Sequence, residues 1–197
     1  MKTAFLTIFS ALVLVSGIAN STYAATAKND NNTYTVLTDI SAINKIEVHG
    51  NVELFVSDAS SDQVKVYNKY YSESALVQSK NGVLRITSYK AEKLVVWVSA
   101  SDLRSISAYD NAEVKSFGNL SKIEFDVDLH DNASARLNLD TFSANVIVKD
   151  NAKADLKGSA TELVVNKEID SNVKSNNFTA LHYTEVKNAY NNDLAGL

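Results

Sequence analysis

The chain contains no cysteine and no proline, and only six glycines, one methionine and one tryptophan in 197 residues. Without cysteine there can be no disulfide staple, no thiolate metal site, no cysteine nucleophile and no lipid attached through a cysteine. If exported, such a chain is held by packing and backbone pairing alone, which suits a bacterial periplasm or cell surface better than a eukaryotic secreted module. Proline removes a donor from strand ladders and is confined to sheet edges and bulges, so a chain of almost continuous paired strand can do without it. With glycine scarce, Asn and Asp must fill turn positions that need a positive φ. Basic residues are in deficit too, with 19 Lys and Arg against 23 Asp and Glu and a net charge of −4. That balance argues against a nucleic-acid partner, whose phosphates are met by Lys and Arg, and offers no polybasic membrane segment. A P-loop, a Gly-rich dinucleotide turn and a G-x-S-x-G elbow are all missing.

What is present begins with a processing signal. Met1-Lys2-Thr3 gives a short positive start, Ala4 to Val15 is apolar apart from Thr7 and Ser10, and Ser16 to Ala24 is small and polar. This layout predicts a secretory signal peptide over residues 1–24. Its apolar core is well short of the roughly 20 residues that span a bilayer, and no other segment is a transmembrane candidate. Cleavage leaves 173 residues (197 less 24) with a net charge of −5, since Lys2 leaves with the signal. Residues 25–35 are polar and read as a flexible leader. Residues 36–197 are then one domain's worth of chain.

Within that domain an Asp-Asn-Ala triplet occurs three times, at Asp110-Asn111-Ala112, Asp131-Asn132-Ala133 and Asp150-Asn151-Ala152. A degenerate fourth copy is Ser171-Asn172-Val173, so the separations are 21, 19 and 21 residues. A period near twenty, with a turn dipeptide at fixed phase, is the mark of stacked rungs. Counting back by twos from each turn gives Ile123, Phe125, Val127 and Leu129, then Phe142, Ala144, Val146 and Val148, then Leu163, Val165, Lys167 and Ile169. Counting forward gives Ala133, Ala135 and Leu137, then Ala152, Ala154 and Leu156. Such alternation means strands with one face in a core, and Val127, Val146 and Val165 should stack in one interior column. The earlier half is less regular, with Gly50-Asn51 where later repeats carry Asp-Asn, and Asn81-Gly82 marking a hairpin. It reads as imperfect rungs or a strand-rich cap. A parallel solenoid explains the constant phase of the triplet better than a sandwich does.

Stacked rungs would align Asp110, Asp131 and Asp150 along one edge. Aligned carboxylates are candidate ligands for Ca²⁺ or candidate acid and base groups for glycan cleavage. Against this, the same residue in every turn is what turn architecture requires, with Asp capping a local amide and Asn in the left-handed position. His49 and His130 lie beside turns, and neither they nor His182 has metal-ligand spacing. Of the tyrosines, Tyr70 and Tyr71 are the best candidates for exposed stacking platforms toward sugar rings.

The Ile43-x-x-Ile46-Glu47-Val48-His49-Gly50-Asn51-Val52 opening, Gly82-Val83-Leu84-Arg85-Ile86, Leu103-Arg104-Ser105-Ile106 and the turn repeats resemble the putative auto-transporter adhesin family, described by a head GIN domain. That family is typical of exported proteins of Bacteroidota-type bacteria, and the resemblance spans about Val36 to Tyr190. Where the family commonly has Gly-containing turns, this chain has Asp-Asn. The resemblance implies a right-handed parallel β-helix, export to the periplasm, cell surface or medium, and an adhesive role, with no catalytic residues to carry over. The expectation is therefore an all-β β-helix with rungs of about 20 residues. Functionally it is a non-enzymatic binding protein of the cell envelope, engaging a glycan or other surface polymer without a cofactor, and open to homo-oligomerisation through its strand ends. The alternative is a pectinase-like polysaccharide-degrading enzyme, suggested by fold analogy alone.

Overall fold

Alternating Val, Ile, Leu and Ala make every described element a strand, because β-branched and apolar side chains at every second place fill one face of a pleat. The computed structural model describes residues 24–27, 34–37, 40, 42–67 and 74–188. In chain order the strands are β1 Ala24–Ala27, β2 Tyr34–Leu37, β3 Lys45–His49, β4 Val52–Asp58, β5 Gln63–Tyr67, β6 Ala75–Lys80 and β7 Val83–Ser88. They continue as β8 Leu94–Ala100, β9 Ser105–Ala108, β10 Glu113–Ser116, β11 Leu120–Leu129, β12 Ser134–Val148, β13 Lys153–Glu168 and β14 Asn172–Asn188. No helix occurs among the described residues. Apart from Ala24, the expected signal peptide lies outside them.

The fold is all-β, a curled sheet of 14 strands in the order β1-β2-β5-β8-β4-β10-β12-β11-β9-β3-β7-β6, with β13 and β14 added beyond β12. The sheet is mixed, so the expectation of a uniformly parallel β-helix is met only in part. From β9 onward every ladder is parallel and steps by the sequence period. Val127 pairs with Val146 and Val146 with Val165, and all three are buried, as the column required. Ala135 and Ala154 likewise stack, as do Leu137 and Leu156. The first half combines both readings offered for it. The pairs β3–β4 and β7–β8 join the parallel ladders, whereas β1, β2, β5 and β6 run antiparallel along their outer edge. Ala25–Ala27 and Tyr34–Thr35, read from sequence as leader, thus belong to strands, as does Ala24, read as the end of the signal. The Asn81-Gly82 hairpin is present, with φ of 52° and 79° at its two central residues, the pattern of a I′ turn. Chain order is not spatial order, however: β3 lies between β7 and β9, and β4 between β8 and β10.

Two phase assignments from the sequence are corrected. Ile123 and Phe142, counted as interior, are 78% and 55% exposed. Neither takes part in the β11–β12 ladder, which passes from Lys122–Thr141 directly to Glu124–Ser143. The chain turns a corner there, and the buried parity changes from Leu137, Leu139 and Thr141 to Ala144, Val146 and Val148. Likewise Ser171-Asn172-Val173 is not the fourth copy of the turn. Asn172 N donates to Ala152 O as Lys153 N donates to Ala133 O, which aligns Ser171 with Ala152 and Ile169 with Asp150. Ile169 is accordingly 68% exposed, and Lys167 pairs with Val148 without being buried.

Buried side chains from the strands before the turns and from those after them form one core. The strands before the turns are β7, β3, β9, β11 and the later parts of β12 to β14. Those after the turns are β8, β4, β10 and the earlier parts of β12 to β14. Each set has an outer surface, and the turns form the edge between them.

Candidate functional site

At that edge the Asp residues themselves are left-handed, with φ of 59° at Asp110, 57° at Asp131 and 53° at Asp150. The Asn that follows is not, which corrects the assignment made from sequence. Ala133 N donates to His130 O and Ala152 N to Lys149 O, both at 3.0 Å, closing turns whose second residue alone has positive φ. That is the II′ pattern.

The carboxylates do not cap local amides either; they reach to the neighbouring turn. Asp110 Oδ2 accepts from Gly50 N at 2.8 Å, Asp131 Oδ2 from Asp110 N at 2.9 Å, and Asp150 Oδ2 from Asp131 N at 2.9 Å. Glu168 Oε2 continues the series by accepting from Asp150 N at 2.9 Å. Each N–H would otherwise be unpaired, since backbone donors must find a partner somewhere. Repetition of Asp thus has a structural cause: one short side chain tolerates the left-handed backbone and joins successive turns. The series ends at Gly50, where a Cβ would lie 2.2 Å from Ser88 O. Beside the carboxylates stands a column of rings, with Tyr109 stacked between His49 at 4.4 Å and His130 at 4.8 Å. The histidines are therefore separated by a phenol, and His130 Nε2 lies 2.9 Å from Asp128 Oδ1. No three His, Asp or Glu among the described residues are grouped so as to share a metal ion. Tyr70 and Tyr71 lie outside the described residues.

Sequence reasoning missed a second constellation, on the outer surface of the strands after the turns. Trp97 stacks on Phe55 at 4.7 Å and meets Phe117 at 5.3 Å, while Tyr67 lies 5.3 Å from Tyr34 and 6.4 Å from Trp97. These rings come from β2, β5, β8, β4 and the residue after β10, and only their spatial order makes them a strip. Beyond Phe55 the same row reads Lys115, Arg136, Asp155 and Lys174. The available signal was the set of outward positions five residues after each turn residue (Lys115, Arg136, Asp155), which counting the interior positions passes over.

Charge chemistry near the aromatic strip is settled by pairing. Lys115 Nζ meets Glu53 and lies 3.2 Å from Glu113, which also meets Lys93 at 2.6 Å. The hydrogen bond from Lys93 holds the Glu113 carboxyl below its ordinary range, more than burial raises it, with Lys115 adding to the effect. Farther along, Tyr183 donates to Glu185 at 2.5 Å. Burial and then this bond push Tyr183 up to about 12, and the bonds from Tyr183 and Lys167 pull Glu185 down to about 2. Groups so placed are poor proton shuttles near neutrality. No helix among the described residues is long and apolar enough to cross a membrane.

The fold is shared with solved structures of low sequence identity. A "putative adhesin" from Bacteroides fragilis superposes with a TM-score of 0.72 at 14% identity, covering 82% of this chain and 78% of the other. A "putative adhesin" from Parabacteroides merdae gives 0.64 at 14%, covering 81% and 78%. A "putative lipid binding protein" from Parabacteroides distasonis gives 0.57 at 10%, covering 81% and 79%. No curated protein matches the chain. With residues 42–190 matching its model, the chain belongs to the family described as "Putative auto-transporter adhesin, head GIN domain".

Proposed function

We propose that this protein is an exported, non-enzymatic binding protein of the bacterial cell envelope, whose ligand is a glycan or similar extended surface polymer and which works without a metal or cofactor. The observation that carries the reading is repetition of the scaffold: from β9 onward successive strands stack in parallel register, so that interior residues and turn aspartates recur at one phase and the outward side chains are set out in rows at one strand spacing. Repeated equivalent subsites gain avidity on a polymer, whereas catalysis needs a few groups in unlike environments. Family membership supports adhesion and export in the same sense. We read the stepped parallel ladders as a right-handed β-helix with an antiparallel cap, because parallel crossovers are overwhelmingly right-handed. Asp110, Asp131 and Asp150 act in this reading as turn connectors that hold the subsites in register, and Tyr70 and Tyr71 as added stacking contacts.

One observation favours the pectinase-like alternative, since Glu113, Arg136, Lys153, Asp155 and Lys174 border a single groove. Against it, Glu113 is held ionised by Lys93 and Lys115 and has no proton to donate. A glycan array of the mature protein, run beside reducing-end release from polyuronides, separates the two readings. Binding without release is expected; turnover abolished by Asp155→Ala would establish the enzyme.

A further inference from the structure

The outer surface after the turns contains a shallow groove of about 740 Å³ over β12, β13 and β14. Arg136, Lys153 and Lys174 line it, with Asp155, Asn132, Ser134 and Asn172 between them and Glu113, neutralised by Lys93 and Lys115, at its β10 end. A smaller adjoining depression shares Arg136 and Asp155 and adds Lys157 and Asn138. Arg136 and Lys174 flank Asp155 on paired strands, two strand spacings apart, or about 10 Å along the stack.

Ion pairing sets this group apart from its neighbours. Lys93 and Lys115 on the same surface are bound to Glu113, and Lys115 also to Glu53. Among the described residues none of Arg136, Lys153, Lys157 and Lys174 has a carboxylate within 4.0 Å, although Asp155 is the ladder partner of Arg136 and Lys174 and shares β13 with Lys153 and Lys157. Four unneutralised cations thus gather on a chain of net charge −4. Before the turns, the outward row of β11 carries the opposite sign, with Glu124, Asp126 and Asp128. Composition averages this segregation away. Local fields do not, because charges separated by more than about 8 Å are largely screened at physiological salt.

We propose that this groove binds a linear polyuronide, an acidic polysaccharide with carboxylates and hydroxyls on every unit, lying along the stack so that successive units meet successive strands. The proposal rests on the glycan-binding reading above and names its ligand class and place. The groove's mixed chemistry selects the occupant. Arg136, Lys153, Lys157 and Lys174 take the ligand carboxylates. Asp155, as an acceptor, needs a donor, which sugar hydroxyls supply and a DNA phosphate backbone does not. Asn132, Ser134 and Asn172 both give and accept hydrogen bonds and so suit hydroxyls. An anionic bilayer would meet the same cations, but the groove itself presents no large apolar side chain to insert.

The test measures binding of the mature protein to polygalacturonate, dextran, a short DNA duplex and phosphatidylglycerol vesicles, at low and raised NaCl. Polygalacturonate should bind in a salt-sensitive manner and the other three should not. The triple change Arg136→Gln, Lys153→Gln and Lys174→Gln should weaken that binding about tenfold or more. Arg136→Lys, which keeps the charge, and Glu124→Gln, on the opposite surface, should leave it within about twofold. All altered side chains are exposed or half-exposed, and an unchanged circular dichroism spectrum confirms that each variant is folded. Polygalacturonate binding that the triple change leaves intact would overturn the proposal, as would tighter binding to DNA or vesicles. Binding to array glycans other than polyuronides would overturn the polyuronide proposal and leave the proposed function standing. Loss of both would remove the two together.

Discussion

The change of parity at the corner between residues 141 and 144 makes the sharpest test of the architecture. Sequence phase alone makes Ile123 and Val146 equivalent, both a whole number of two-residue steps before a turn. The structure buries Val146 completely, paired with Val127 and Val165, and leaves Ile123 78% exposed. Val146→Ala removes the equivalent of two buried methylenes, about 1.6 kcal/mol at roughly 0.8 kcal/mol each. A residual cavity of up to about 50 Å³ adds about 1 kcal/mol at roughly 24 cal/mol per Å³, since the stacked neighbours cannot close in fully. The expected loss is therefore about 2–3 kcal/mol. Ile123→Ala creates no cavity and should cost under about 0.5 kcal/mol. Urea unfolding of the mature protein, followed by circular dichroism and by fluorescence of Trp97, measures both. Coincident transitions license the free-energy comparison. Equal losses in the two variants would refute the corner, and a loss below about 1 kcal/mol for Val146→Ala would refute the interior column.

Further predictions concern the turn edge, acid stability and catalysis. Asp131→Asn keeps an acceptor for Asp110 N and should cost no more than about 1 kcal/mol, whereas Asp131→Ala loses the bond while retaining a left-handed Cβ and should cost about 2 kcal/mol; thermal unfolding ranks them, and a melting temperature raised by calcium only in the parent would identify a metal site instead. Gly50→Asp should lower the melting temperature and not extend the carboxylate series, because its Cβ would lie 2.2 Å from Ser88 O; a rise would show that the series ends there for another reason. Burial raises the Asp62 pKa, but the amide bonds from Ser101 and Ile43 outweigh it, so the folded value lies below the ordinary one. Its contribution is therefore present above the unfolded value near 3.9 and is lost as pH falls through the lower folded value, so unfolding curves of Asp62→Asn should converge on the parent's in acid. Purified protein should release no reducing or unsaturated ends from pectin-like glycans, with or without calcium; release abolished by Asp155→Ala in a variant that remains folded would reverse this.

Much of this was legible in the chain because a solenoid-like ladder writes its spacing into the sequence. The missing proline, the alternation and the triplet at constant phase led to strands, to a step near twenty residues and to the column Val127, Val146 and Val165. Those are local or periodic properties, and each rung repeats the same side-chain requirement. The carboxylate series was legible as an alignment but not as a bonding pattern, since its partner amides lie 19 to 60 residues away. The last turn misled because Ser-Asn-Val matches Asp-Asn-Ala in residue type, whereas backbone pairing aligns Ile169, and not Ser171, with Asp150.

What only the tertiary structure decided is everything that depends on which strand lies beside which. Placing β4 between β8 and β10 brings Trp97 onto Phe55 although 42 positions separate them, and no local pattern encodes that choice. The corner at Phe142 is equally silent, because an exposed apolar residue at a bend and a buried one in a strand look alike in a list of letters. Charge shows the same division. The sequence fixes a net charge of −4, but pleat parity and stacking put Arg136, Lys153, Lys157 and Lys174 on one surface and Glu124, Asp126 and Asp128 on the other. Side chains alternate faces every residue, so a basic patch built from one residue per rung is invisible along the chain and emerges only when the rungs are laid together.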